Sequence, residues 1–401
     1  SYDKESGELV LHNYMDFDNL KDYVKISYEL TQDGLLIGKG KLAEVSVVPH
    51  SEGKTNLQVN VPENGKCYLK LTYHLKKEMP LLEEDYILGF DEIEVSQKDA
   101  KCQLAEKWVE KTVTDSELQV SEDDTQIHIK GREFAYTIDR RTALFTEMKF
   151  AGREYLNHPM ELNIWRAPTD NDMYIKSEWK KAHYDKAYTR AYTTEVVQGK
   201  HGVKITSHAS VVAETVQKIL DVTITWKIEA AGKIDADIAV TKDDEFPDLP
   251  RFGVRMFLDK KLSAARYFGM GPQESYCDKH QAASHGLYQA NVDDLHEDYI
   301  RPQENGSHYD CEYVELNNSR YGIVVSAENA FSFNASYYTQ EELEKKTHNY
   351  ELTESDSVVF CVDYALNGIG SNSCGPVVLE QYRFDDVLFR FQFTLIPYIK
   401  G

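Results

Sequence analysis

Apolar residues at every second position, repeated along nearly the whole chain, dictate strands. Val387, Phe389, Phe391, Phe393 and Leu395 form the clearest set. Side chains on an extended backbone point alternately to opposite faces, so this spacing builds one apolar and one polar face. The same period runs through Val24, Ile26, Tyr28 and Leu30; Leu57, Val59 and Val61; and Leu69, Leu71, Tyr73 and Leu75. It returns in Ile127 and Ile129, in Phe134, Tyr136 and Ile138, in Val222, Ile224, Trp226 and Ile228, and in Ile234, Ala236, Ile238 and Val240. Asp33-Gly34 is a hairpin-turn signal, and "AAGK" (230–233) reads as a tight turn. One of the few helix candidates is "EWKKAHYDKAY", residues 178–188. The fold class is therefore all-β.

Length divides these strands. A chain of 401 residues suits two domains better than one. Several short strands in the first hundred residues read as a small sandwich with no cysteine pair to pin its sheets. From Ser96 to Ser121 the sequence turns charged, "SQKDAKCQLAEKWVEKTVTDSELQVS", and reads as a linker plus a first strand. We place the boundary there, giving 1–104 and 105–401, the second stretch being a single large sandwich. No repeat of 20 to 50 residues occurs.

Charge narrows the function. Asp and Glu number 67 against 45 Lys and Arg, a formal net charge of −22. Phosphate-rich partners need a basic excess, so neither a nucleic acid nor an anionic membrane is expected as a partner. No apolar run reaches the roughly 18 residues of a membrane span. The N-terminal "SYDKESGELV" has neither an initiator Met nor a charged-then-apolar leader, and an excised or processed piece is expected. The 6 cysteines form no CxxC pair and fit no zinc spacing. They read as free thiols of a reducing compartment, which points to the cytoplasm. HExxH, a Gly-rich phosphate loop and a nucleophile elbow are all missing, and the 13 histidines are scattered.

Polar chemistry is concentrated in four stretches. "NIWRAPTDND" (163–172) sets Arg166, Asp170, Asn171 and Asp172 close to an indole and a proline. Its residues suit a turn closed by Asx side chains, with Arg166 paired to one carboxylate. They also suit, less directly, a sugar site, where carboxylates accept from hydroxyls and aromatic faces cover the pyranose. "YFGMGPQESYCDK" (267–279) and "YIRPQENG" (299–306) place Gln273, Glu274, Gln303, Glu304 and Asn305 beside Gly and aromatics. Such loops either satisfy their own backbone or line a carbohydrate pocket. "NGIGSNSCGP" (367–376) is a Gly/Asn/Ser loop whose backbone can approach a ligand closely, or a plain connection. Glycoside hydrolysis needs two carboxyl groups about 5 Å apart or somewhat more, and nothing in the spacing selects a pair.

Together the four stretches, in this order and separation, resemble the C-terminal region of the long bacterial β-galactosidases of glycoside hydrolase family 2. "GELVLHNYMDFDNLKDYVKISYELTQDGLLIGKG" near the N-terminus resembles the sandwich that follows the catalytic barrel in that family. The resemblance implies an immunoglobulin-like β-sandwich followed by a large galactose-mutarotase-like β-supersandwich. The family's full chain also carries a sugar-binding-like sandwich, a first immunoglobulin-like sandwich and a (β/α)8 barrel, all upstream. Its catalytic glutamates lie on the barrel. The chain is thus expected to be the C-terminal part of a retaining hydrolase of terminal β-D-galactosides. It would complete the cleft and support assembly without supplying catalytic residues, and would be inactive alone.

By the same resemblance no cofactor or metal is expected in this segment, while the parent uses Mg2+ and Na+ bound elsewhere. The implied partners are the barrel, in the same chain or as a large subunit, a β-galactoside substrate, and further copies of the parent. Arg166, Asp170, Asn171 and Asp172 match a mobile loop at the cleft edge. Ser373 and Cys374 stand in a loop where some members stack a Trp on substrate, so this parent's aglycone stacking differs. Gln273, Glu274, Gln303, Glu304 and Asn305 are the remaining candidate carbohydrate contacts. Two other readings stay open. One is a sugar mutarotase or epimerase, for which His308 is the nearest base. The other is a non-catalytic carbohydrate-binding or assembly module.

Overall fold

The computed structural model describes residues 1–109, 118–370, 372 and 375–400. They form two compact units, residues 1–104 with His285–Leu287, and residues 105–284 with 288–401.

In the first unit the strands are Tyr2–Asp3 (β1), Glu8–Asn13 (β2), Val24–Gln32 (β3), Leu35–Lys41 (β4), Ser51–Asn56 (β5), Cys67–Leu75 (β6) and Ile87–Glu94 (β7). They make a three-stranded sheet, β1-β2-β5, and a four-stranded sheet, β4-β3-β6-β7. Leu9 and Leu11 from β2 share one core with Ile26, Leu30, Leu69 and Leu71 from β3 and β6. The expected hairpin is present: Gln32 pairs with Leu35, and Asp33 and Gly34 have φ of 48° and 75°. Both central residues of such a two-residue turn need positive φ, which Asp tolerates and Gly adopts freely. The strand expected at Leu57, Val59 and Val61 does not form. Strand β2 begins at Glu8, opposite Asn56; beyond it the Leu57 amide still donates to the Gly7 carbonyl at 2.8 Å, but Gly7 has φ 70° and the ladder ends there.

In the second unit Gln119–Glu122 (β8), Gln126–Lys130 (β9), Phe134–Asp139 (β10), Leu144–Phe150 (β11) and Arg153–Glu154 (β12) form a five-stranded sheet. A twelve-stranded sheet contains Leu156–Asn163 (β13), Tyr188–Gln198 (β14), Gly202–Val212 (β15), Leu220–Glu229 (β16), Ile234–Lys242 (β17) and Arg251–Asp259 (β18). It continues with Ala264–Gly271 (β19), Ser284–Asn291 (β20), Ser307–Asn317 (β21), Tyr321–Ser336 (β22), Ser357–Leu366 (β23) and Leu388–Ile399 (β24). Its main path is β13-β18-β23-β22-β24-β17-β16-β15-β14, with β19 joining β20 and β21, and β21 joining β22. The pairings along the main path, and those of β21 with β19 and β22, are antiparallel, as expected where one face meets the core and the other meets water.

The C-terminal strand β24 lies inside the sheet, between β22 and β17. Phe389, Phe391 and Phe393 stand opposite Val240, Ile238 and Ala236, and all six are buried. The strand starts one residue later than its alternation suggests, leaving Val387 exposed. Trp226 joins the two sheets of this unit: its ring meets Phe145 edge-on at 4.9 Å, and its Nε1 donates to the Ala143 carbonyl at 2.8 Å. The helix expected at 178–188 is shorter and earlier, Ile175–Lys181. His183 follows with φ 58°, a left-handed residue that ends the helical path before one 3-10 turn at Tyr184–Lys186.

Strand order brings the four polar stretches together. Asn163, at the end of β13, pairs with Gly253 near the start of β18, and Arg251 pairs with Leu366 at the end of β23. The loops after β13 and β23 therefore leave from the same end of the sheet. Strand β19 runs antiparallel to β21, so the loop after Gly271 and the approach to Ser307 meet at one end too.

Candidate functional site

Arg166 is the centre of the cluster. Strand β13 ends at Asn163, whose side chain accepts from the Trp165 amide at 3.0 Å and turns the chain inward. The guanidinium that follows is completely buried. Its Nε and Nη2 donate to the two oxygens of Asp172 at 3.1 and 2.7 Å. Nη1 donates to the Asn367 carbonyl, and Nη2 also reaches the Gly368 carbonyl at 3.2 Å. The Trp179 ring lies 5.1 Å from the guanidinium carbon. A buried guanidinium is tolerable only when its fork of donors is filled this way. Asp172 also accepts from the Thr169 amide at 2.8 Å, closing the 3-10 turn Asp170–Met173.

The other stretches are tied in by single side chains. Asn171 donates to the Ile369 carbonyl at 2.9 Å, and the Gln303 side chain accepts from the Asp170 amide at 3.0 Å. Asp278 accepts from the amides of Ile369 and Gly370 at 3.0 and 2.6 Å. Glu274 accepts from the Gly306 amide at 2.8 Å, and also from Lys279 and the Tyr299 hydroxyl. Each of the four stretches is thus hydrogen-bonded to at least one other.

These contacts sort the residues singled out from sequence. Arg166, Asp172, Glu304 and Asn305 are buried and engaged within the protein. Asn305 accepts from the Glu297 amide at 3.0 Å and donates to the Gln303 carbonyl at 2.9 Å. Asp170 and Gln273 are exposed, while Asn171, Glu274 and Gln303 are half-buried. Ser373 and Cys374 lie outside the described residues. A cavity of about 520 Å³ borders the first stretch, with Asn171, Tyr174, Asn372 and Val377 in its wall. Asp248 and Arg383 complete it as an ion pair at 2.7 Å.

Sequence reasoning missed the second buried cluster. Arg251, at the start of β18, donates from Nε and Nη2 to Asp363 at 3.1 and 2.5 Å. Its Nη1 donates to both oxygens of Glu304 at 3.2 Å. Arg251 and Asp363 are 0% exposed and Glu304 3%. Burial, with one cation shared between two carboxylates, pushes the Glu304 carboxyl above its ordinary range. A signal was present: Asp363 is the one charge in "VVFCVDYAL", where an acid demands a buried partner.

Gly306 holds the turn between Asn305 and β21. Its φ is +69°, and a Cβ there would sit 2.3 Å from the Leu295 carbonyl oxygen. Gly306→Ala is expected to cost about 1–3 kcal/mol, since both strain and clash oppose it. A urea-unfolding midpoint equal to that of the parent chain would contradict this.

His308 is poorly placed for proton transfer. It is 1% exposed, stacked against Phe333 at 5.0 Å, with Nδ1 3.3 Å from the Met270 carbonyl. Its Nε2 has no partner among the described residues. Burial pushes its pKa down from 6.5 to about 4. Above pH 6.5 neither folded nor unfolded His308 carries a proton, and its contribution to stability is complete. As pH falls from 6.5 toward 4, the unfolded chain gains a proton that the folded chain refuses. Stability from this group should therefore decline by about 3 kcal/mol across that window. His308→Asn should flatten that part of the stability–pH curve, measured by urea unfolding. An unchanged slope would show that His308 titrates normally.

Among the described residues no group of three or more His, Cys, Asp or Glu is arranged to hold a metal ion. No helix among them is long and apolar enough to cross a membrane. Cys67, Cys277, Cys311 and Cys361 are free thiols.

Known proteins resemble the chain along its length. A family model described as beta galactosidase small chain matches residues 130–395, and one described as beta-galactosidase, domain 4, matches residues 9–96. A beta-galactosidase of Actinobacillus pleuropneumoniae is 42% identical over 392 residues, 97% of this chain and 38% of that protein. A beta-galactosidase of Staphylococcus xylosus is 30% identical over 398 residues, 98% of this chain and 39% of that protein. The chain spans about two fifths of the length of these relatives. A galactose 1-epimerase from Lactobacillus acidophilus aligns over 72% of this chain and 100% of its own, at 8% identity and a TM-score of 0.38, too weak a likeness to carry an argument. The small-chain model covers most of the second unit and the domain 4 model most of the first, so the chain belongs to the β-galactosidase family, as its domain 4 and small-chain region.

Proposed function

We propose that this chain is the C-terminal part of a retaining β-galactosidase of glycoside hydrolase family 2, acting on terminal β-D-galactosides. The observation that carries the reading is the alignment of nearly the whole chain with about two fifths of each of two proteins named beta-galactosidase. The catalytic glutamates then belong to a (β/α)8 barrel outside this segment, in the same chain or a large subunit. Mg2+ and Na+ bind there as well. The parent works in the cytoplasm as a homo-oligomer.

The second unit's part is to edge the substrate cleft. Arg166 and Asp172 hold the edge loop from beneath, while Asp170 and Gln273 keep their polar groups in solvent and Asn171 borders the cavity. Such division of labour suits a site whose polar contacts are pre-positioned by buried anchors. The test is an assay of chromogenic β-galactoside hydrolysis. The 401-residue chain alone is expected to show no turnover, and joining it to the upstream part of its parent should restore it. Robust turnover by the chain alone would overturn the reading.

A further inference from the structure

A second recess lies between β21, β22, β23 and the turn that precedes β24. Its volume is about 300 Å³, enough for one hexose. Tyr309, Tyr364, Tyr382 and Phe384 contribute four aromatic rings to its wall. Tyr364 and Phe384 are themselves packed, with centroids 5.9 Å apart, and Tyr364 stacks on Phe389 at 4.9 Å. That wall is therefore held rigidly.

Five polar groups of its wall are uncommitted. The hydroxyls of Tyr309, Tyr364 and Tyr382 make no hydrogen bond among the described residues, nor does the Ser332 hydroxyl or the Asp386 carboxylate. Burial, then the charge of Asp386, raises the Tyr364 phenol above its ordinary range, keeping it a donor. Arg383, the one cation among the described residues of the wall, is already paired with Asp248. Aromatic faces with hydroxyl donors and carboxylate acceptors, and no free positive charge, suit a neutral polyhydroxylated ring. They repel an anion such as a phosphate or a sugar acid.

From these observations we infer that the recess lined by Tyr309, Tyr364, Tyr382 and Asp386 is a binding site for a neutral hexose, with no chemistry of its own. The inference concerns this chain's own residues and does not need the upstream catalytic part. Whether the sugar is free or the end of a longer saccharide is left to the experiment, because both present the same ring.

The test is saturation-transfer NMR and calorimetry on the 401-residue chain with galactose, glucose and lactose, and with glucuronate as the anionic probe. The neutral sugars should bind with a dissociation constant on the order of 1 mM, as expected for ligands of so few atoms. Glucuronate should bind at least about tenfold more weakly. Tighter binding of lactose than of either monosaccharide would identify a saccharide end as the occupant. Tyr382→Ala and Asp386→Asn should each weaken binding about tenfold. Both residues sit at the surface turn, and circular dichroism with the urea midpoint checks that each variant is folded. Asp170→Ala should leave this binding unchanged. No neutral-sugar binding up to about 100 mM would overturn the inference. So would binding lost in Asp170→Ala but kept in Tyr382→Ala and Asp386→Asn, an outcome that leaves the proposed hydrolase role intact.

Discussion

Arg251→Met is expected to destabilise the chain by about 3–5 kcal/mol at neutral pH. The substitution keeps most of the volume but leaves Asp363 and Glu304 buried without a counter-charge. Two carboxylates that cannot be hydrated must then take up protons. Burial already raises their folded pKa values, and loss of Arg251 raises them further, so the defect should grow as pH rises past the ordinary carboxylate range and shrink below it. Urea unfolding at pH 5 and pH 7.5 measures both terms. A defect of the same size at both pH values would show that lost packing, not orphaned charge, is responsible. A defect within about 0.5 kcal/mol at pH 7.5 would mean that water reaches the cluster.

Asp172→Ala makes the converse defect, with an expected cost of about 3–5 kcal/mol. Here a buried cation is orphaned, since among the described residues Arg166 would retain only the Asn367 and Gly368 carbonyls and the Trp179 face. The Thr169 amide loses its acceptor as well, so the 3-10 turn should open. Replacing both partners by apolar residues, Arg166→Met with Asp172→Leu, should recover much of the stability because neither charge is then buried. It should not recover the turn. Urea midpoints measure the first effect, and limited proteolysis near residues 169–174 the second. Equal protease resistance in both variants and the parent chain would show that the turn is held by other contacts.

The strands were legible because alternation is a local property. Phe389, Phe391 and Phe393 face the core in the structure as their spacing requires. Misses occurred where a partner strand decides the outcome. Leu57, Val59 and Val61 alternate, yet β5 stops at Asn56 because its neighbour β2 begins at Glu8. At 178–188 helical composition gives way to the left-handed His183 and to the strand that begins at Tyr188.

The candidate site was legible in part. Pairing of Arg166 with a nearby carboxylate followed from their short separation. Glu304 and Asn305 read either as carbohydrate contacts or as loop residues satisfying their own backbone, and the fold buries both side chains. Arg251 escaped notice because its partner Asp363 is 112 residues away.

Residue spacing alone decided that the chain is all-β and where its polar loops lie, because strand faces and turns depend on neighbours a few positions apart. Only the tertiary structure decided which polar groups are anchors and which remain open to a ligand. Arg166 reaches a carbonyl 201 residues away, and that contact exists only because β13, β18 and β23 are adjacent in the sheet. Burial removes water from a charged group, and whether a charge is buried depends on strand order, which no local pattern encodes.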